Sequence, residues 1–217
     1  MLEFNKNNLK TLKIVIVDYG VGNLYSIRKA CAEFANNVVI SEDADTISSA
    51  DAVILPGVGA FKAGMEGLRK RNLVKVVKKF AASGKPMLGI CLGAQLMLEK
   101  GYEFGEFDGL GLIPGKVVKF PKFKNAKVPQ IGWNKIRFLK NKNELFNSLE
   151  SELYVYFVHS YILEPKNRNH FLAKSTYGGF TFCSAIKMGN IYGTQFHPEK
   201  SGKTGLQIIK NFIKLAS

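Results

Sequence analysis

The chain has 217 residues, 46% of them hydrophobic and 22% charged, a balance that suits one globular domain with a sizeable core. No apolar run approaches the roughly 18 residues that cross a bilayer, and the opening "MLEFNKNNLKTLK" lacks the apolar centre of a secretion signal, so no membrane partner and a cytoplasmic location are expected. The formal charge is +14, and between Gly109 and Asn143 there are nine Lys or Arg and no acid. No helix-turn-helix, RNA-binding or zinc-finger signature accompanies that bias, so a lysine-rich surface is expected and nucleic acid is not.

In chain order, "KIVIVD" (Lys13 to Asp18) reads as a buried parallel strand. "LYSIRKACAEF" follows at helical spacing with Asn23 as its N-cap. "DAVILPG" is a second buried strand, and Met65 to Ala82 is helical until Gly84 and Pro86 stop it. "PMLGI" is the next strand and "LGAQLMLEK" the next helix. From Gly109 the pattern changes to short strands between turns: "GKVVKF", "NKIRFL", "LYVYFV", "FLAKSTY", "FTFCSAI" and "NIYGTQF". "GKTGLQIIKNFIKL" closes the chain as an amphipathic helix with Leu206, Ile209 and Ile213 on one face. The fold class predicted is α/β, a mixed, mostly parallel sheet flanked by helices on both faces.

Three cysteines, Cys31, Cys91 and Cys183, form no CxxC pair, and the three histidines show no ligand spacing, so neither a metal nor a cofactor is expected. Cys31 and Cys183 read as core thiols. Cys91 differs, because Gly89-Ile-Cys91-Leu-Gly93 is a strand–turn–helix corner of the nucleophile-elbow kind. A helix N-terminus there would favour thiolate, and the backbone N–H of Leu92 would point to where an oxyanion develops. His197, in a loop after a strand, is the candidate base, with Glu199 to hold its tautomer. A second oxyanion donor would come from the glycine-rich loop Gly57-Val58-Gly59 after "DAVIL". All three pieces follow strands, and open α/β sheets bind ligands at the carboxyl ends of their strands.

The stretches Gly89-Ile-Cys91-Leu-Gly93-Ala-Gln95 and Gln195-Phe-His197-Pro-Glu199-Lys together resemble the elbow and dyad of the class I, triad-type glutamine amidotransferases, whose fold is flavodoxin-like. Within that family, "VDYGVGNLYSI", "LPGVGAF", "GLGLIPGKVVKF", "QIGWNKI" and "YFVHSY" look like the glutaminases that serve imidazole glycerol phosphate synthase in histidine biosynthesis. The resemblance spans residues 13–217 as a single amidotransferase domain and leaves 1–12 as an extension. It implies that Cys91 attacks the amide of L-glutamine, giving a thioester and ammonia, with His197 moving the proton and Glu199 orienting it.

The resemblance also implies that Gln95, Glu103, His159, Ser160 and Tyr161 bind the substrate. The partner it implies is a (β/α)8-barrel cyclase subunit forming a heterodimer with this chain, with Lys200 and Trp133 at the interface. Weak activity without the partner is expected, since a loop built on two glycines can rest with its N–H turned away. Glu103 could instead be only surface, and His159 or Trp133 only packing. Other readings with the same machinery are a glutaminase feeding a sugar-modifying amidotransferase and the glutaminase of pyridoxal phosphate synthase. From other classes come a non-catalytic binding subunit and an elbow-bearing cysteine hydrolase.

Overall fold

The computed structural model describes residues 12–138 and 144–217. Its first part runs β1 (Lys13–Val17), α1 (Leu24–Ala32), β2 (Asn37–Ser41), α2 (Ala44–Ser48), β3 (Ala52–Leu55), α3 (Phe61–Lys70), α4 (Leu73–Ala82), β4 (Met87–Ile90) and α5 (Leu92–Leu96). Strands then dominate: β5 (Leu98–Gly101), β6 (Phe107–Asp108), β7 (Ile113–Lys119), β8 (Gln130–Phe138), β9 (Glu152–His159), β10 (Tyr161–Pro165), β11 (Phe171–Tyr177), β12 (Phe180–Met188) and β13 (Ile191–Thr194). Helix α6 (Gly202–Lys214) follows. The expected extension, apart from Leu12, lies outside the described residues, as does Leu139 of "NKIRFL".

The sheet runs β2-β1-β3-β4-β13-β12-β10-β7-β5-β6, with β11 branching from β12 and leading to β8 and β9. From β2 to β13 neighbours are parallel, and from β13 to β7 they are antiparallel. β1 shows why its sequence is apolar at every position. Ile14 and Ile16 enter a core shared with α1 and α6, whereas Val15 and Val17 enter the core under α2, α3 and α4. A strand covered on both faces needs apolar residues of both parities. The helices therefore flank both faces, as expected.

The polypeptide passes from β1 to β2 on one side and later to β3 on the other. The carboxyl ends of β3, β4 and β13, three adjacent parallel strands, consequently share one edge beside a reversal of strand order.

Four local features differ from the sequence reading. The single helix expected over Met65 to Ala82 is two, and it begins earlier, at Phe61. Asn72 breaks it with φ 58°, a left-handed conformation that asparagine tolerates. The helix expected over "LGAQLMLEK" stops at Leu96, because Leu98–Gly101 leaves to pair with β7. Leu206 is only partly covered, and the buried face of α6 is made by Ile208, Ile209, Phe212 and Ile213. Strand β2 and helix α2, in which Asp43 Oδ1 accepts from Thr46 N at 2.7 Å, had no clear period in the sequence. By contrast Asn23 caps α1 as read, its Oδ1 accepting from Ser26 N at 3.3 Å. Cys31 and Cys183 are buried thiols.

Candidate active site

Strand β4 ends at Ile90, and the next residue, Cys91, turns the chain with φ 53° and ψ −108°. Positive φ at a residue with a Cβ costs on the order of 1–3 kcal/mol and persists only where neighbours enforce it. Here Cys91 N donates to Thr194 O at 2.7 Å, extending the β4–β13 ladder into the corner. The close approach of α5 to β3 requires Gly93: a Cβ there would stand 1.8 Å from Leu55 O. Helix α5 has only five residues, little more than one turn, so the positive pole read from the sequence is a short one.

Strand β13 delivers His197 to the same edge. Its backbone N donates to Tyr156 O at 2.9 Å, and its carbonyl accepts from Ser201 Oγ at 2.6 Å, so the loop is fixed from both sides. His197 Nδ1 lies 2.8 Å from Glu199 Oε1. A carboxylate can only accept, so Nδ1 carries the hydrogen and Nε2 is left for the sulfur. Both side chains are almost wholly buried. Burial alone would lower the His197 pKa, but the influence of the nearby Cys91 sulfur and of the hydrogen-bonded Glu199 carboxylate outweighs it and holds the proton more tightly than in a free histidine.

A residue that motif reading passed over completes the surroundings of the thiol. Gln195, fully buried, directs Nε2 at Cys91 Sγ across 3.8 Å, and its Oε1 accepts from Gln95 Nε2 at 3.2 Å. The same Gln95 nitrogen donates to Tyr161 O at 3.1 Å. The Gln95 amide thus decides which end of Gln195 faces the sulfur.

Beside Cys91 opens a cavity of about 380 Å³. Of the residues picked out from sequence, Val58, Gly59, Leu92, Gln95, Glu103, His159, Ser160, Tyr161 and Lys200 line it with Cys91, and Pro129 and Val158 complete the wall. Gly57, His197 and Glu199 stand behind that lining. His159 donates from Nδ1 to Tyr161 O at 2.8 Å and packs among Phe120, Phe157 and Phe182. Burial, with some help from His197, lowers its pKa to about 4, so this ring stays neutral at ordinary pH. Glu103 Oε2 accepts from Phe61 N at 2.7 Å.

The loop Gly57–Gly59 closes onto the start of α5. Leu92 N–H, expected from the sequence as an oxyanion donor, donates to Gly57 O at 3.3 Å and so is occupied by the loop itself. Tyr19, buried behind the loop, donates from its hydroxyl to Pro56 O.

Trp133 lies apart from the cavity, on the outer face of β8, 57% exposed, and so is not a core aromatic. Its cross-strand neighbour is Tyr156, and the pairs Ile131–Val158 and Lys135–Tyr154 continue the same face. Ile131 and Tyr154 are exposed too, and Lys200 Nζ sits 5.9 Å from the Tyr156 ring centre. Because Val158 also lines the cavity, this apolar face and the cavity are continuous. Among the described residues no group of His, Cys, Asp or Glu could hold a metal, and no helix is long and apolar enough to cross a membrane.

Comparison with known proteins agrees with this geometry. The family model "Glutamine amidotransferase class-I" matches residues 15–215. Among curated proteins, the imidazole glycerol phosphate synthase subunit HisH of Aquifex aeolicus is 45% identical over 206 residues, covering 94% of this chain and 98% of that one. The HisH subunit of Sulfurimonas denitrificans is 48% identical over 204 residues, with 93% and 97% coverage. The solved structure of PurLQS from Thermotoga maritima shares the fold at a TM-score of 0.73 and 17% identity, covering 94% of this chain and 98% of that one. A strained cysteine corner, a buried histidine–carboxylate pair and a family match over nearly the whole length lead to one conclusion: the chain belongs to the class-I glutamine amidotransferases.

Proposed function

We propose that this chain is the glutaminase subunit of an imidazole glycerol phosphate synthase, within a single domain spanning 13–217, and that it works as follows. The thiolate of Cys91 attacks Cδ of glutamine, and the carbonyl electrons move onto oxygen. His197, protonated, gives its proton to the amide nitrogen as the C–N bond breaks and ammonia leaves. Neutral His197 then takes a proton from water, whose oxygen attacks the glutamyl thioester. The adduct collapses with the sulfur of Cys91 leaving as thiolate beside the protonated His197, the new carboxyl gives its proton to solvent, and glutamate departs. Glu199 supports the imidazolium in each half of the cycle.

Two N–H groups would hold the oxyanion, that of Leu92 and that of Val58. For both to serve, the Gly57–Val58 peptide has to rotate, which withdraws Gly57 O from Leu92 N–H and turns Val58 N–H inward. The Leu92–Gly57 bond supports a low basal rate. Glu103 receives the α-ammonium, and His159, Ser160 and Tyr161 border the α-carboxylate end. The apolar face around Trp133 would dock the cyclase subunit, shielding ammonia from water where it would be protonated. Continuity of that face with the cavity supports the placement.

The observation that carries this reading is the buried His197–Glu199 pair at 2.8 Å beside a cysteine at φ 53°. Its test is glutamate release from glutamine by the chain alone and with a cyclase subunit and its nucleotide ligand, with Cys91→Ala as control. Turnover that rises with the cyclase and is lost in the variant is expected. Turnover indifferent to the cyclase would assign the glutaminase to another synthase.

A further inference from the structure

The carboxylate of Glu103 is tied to the backbone that carries the oxyanion donors. Phe61, whose N–H it holds at 2.7 Å, opens α3. The residue before it, Ala60, is extended and offers no side-chain cap. One of the first N–H groups of the helix would otherwise lack a partner, and Glu103 supplies what Ser or Asp usually would, with a charge that suits the positive end of a ten-residue helix. The other oxygen of Glu103 makes no hydrogen bond among the described residues.

Gly57 to Phe61 is thus a segment held at both ends. At its start Gly57 is hemmed in, since a Cβ there would stand 2.5 Å from Tyr19 Oη and 2.9 Å from Gly93 N. At its far end the Phe61 ring packs against Gly101, and Glu103 holds the N–H. Between them Gly59, at φ 112°, has nothing within 4 Å of where a Cβ would be, and Val58 is exposed. Freedom is confined to the peptides that must turn.

We infer that Glu103 is a positioning residue for the oxyanion loop, one oxygen receiving the α-ammonium of glutamine while the other fixes Phe61 and thereby the loop's far end. This role rests on the glutaminase reading above and adds to it a physical link between substrate recognition and the oxyanion donors. An ammonium on the free oxygen immobilises a half-buried side chain, and immobilising it restrains Ala60 and Phe61.

Two variants separate the roles. Glu103→Gln keeps a carbonyl oxygen for Phe61 N–H but no charge for the ammonium, whereas Glu103→Ala keeps neither. Each is assayed with the cyclase present, on glutamine and on glutaramate, the analogue without the α-amino group, after a thermal melt confirms folding. With glutamine, Glu103→Gln should raise KM about tenfold or more and lower kcat less than about threefold, while Glu103→Ala should also lower kcat about tenfold or more. On glutaramate only the alanine variant should be slower than the parent.

Hydrogen exchange of residues 57–65, measured in a Cys91→Ala background, should slow when glutamine is added, and Glu103→Ala should abolish that slowing. Equal kcat in the two variants, with unaltered exchange, would overturn the loop role and leave the ammonium contact standing. An unchanged KM in both would overturn the ammonium contact and the link with it. A parent chain that turns over no glutamine would instead refute the glutaminase reading itself.

Discussion

Replacing Gln195 tests how the Cys91 thiolate is held. Its Nε2 is 3.8 Å from Cys91 Sγ, and Gln95 prevents the amide from turning its oxygen to the sulfur. Gln195→Leu keeps the approximate volume and deletes the donor. A hydrogen bond to a charged group contributes about 1.5–3 kcal/mol. The long distance to a diffuse sulfur places this one near the lower end, about 1.5–2 kcal/mol, or roughly ten- to thirtyfold at about 1.4 kcal/mol per decade. The assay is the rate of alkylation by iodoacetamide near neutrality, beside glutamine hydrolysis and a thermal melt. Alkylation should fall by that factor in a variant that still melts cooperatively near the parent temperature, whereas a general loosening of the site would lower the melting temperature as well. Gln195→Glu, which keeps an acceptor for Gln95, should be at least as slow near neutrality. A leucine variant alkylated at the parent rate near neutrality would refute the donor role.

Because the pKa of His197 is raised in the folded chain, its pairing should stabilise the protein fully below the ordinary histidine value near 6.5 and the gain should fade as pH rises through about 10. Thermal melts of parent and Glu199→Gln should therefore differ most on the acid side of that window and converge towards its alkaline end. His159 has the opposite sign: held neutral when folded, it should cost stability as pH falls from about 6.5 towards its folded value of about 4, a loss absent in His159→Phe in the same melts. Gly93→Ala would drive a methyl to 1.8 Å from Leu55 O and should destabilise by about 4 kcal/mol or more, or prevent folding, in urea titration. Trp133→Ala should leave the melting temperature nearly unchanged, the ring being exposed, yet weaken cyclase binding by about 2 kcal/mol, roughly thirtyfold in Kd, by calorimetry.

The parts of this site that sequence revealed are those whose residues lie close together in the chain. Cys91 with Gly93, and His197 with Glu199, each stand two positions apart and so show as short motifs, although the groups that hold them, Thr194 O, Leu55 O and Tyr156 O, are distant in the chain. Gln195 was not legible as a donor, although it lies two residues before His197. Which way a strand residue faces depends on what lies across the sheet, and here that is Gln95, 100 residues earlier. The bond from Phe61 to Glu103 spans 42 residues and ends on a main-chain atom, which no motif encodes. The same limit explains α5. Leu92 to Leu98 is buried throughout, so its hydrophobicity carries no period, and pairing with β7 decides where the helix ends.

The position of β13 between β4 and β12 has a consequence for how the enzyme is made. The cysteine's strand is translated long before the strand that leads to His197, and the pairing that unites them is among the most non-local in the molecule. A chain emerging from the ribosome therefore holds Cys91 without His197, and with one edge of β4 still lacking its neighbour. Only when β13 inserts does Thr194 O grip the Cys91 amide and set the corner. On the proposed function, the reactivity of Cys91 is in this sense a maturation marker: a thiol-directed probe would read completion of the fold, and nascent or truncated chains would be spared the side reactions of a nucleophile assembled too early.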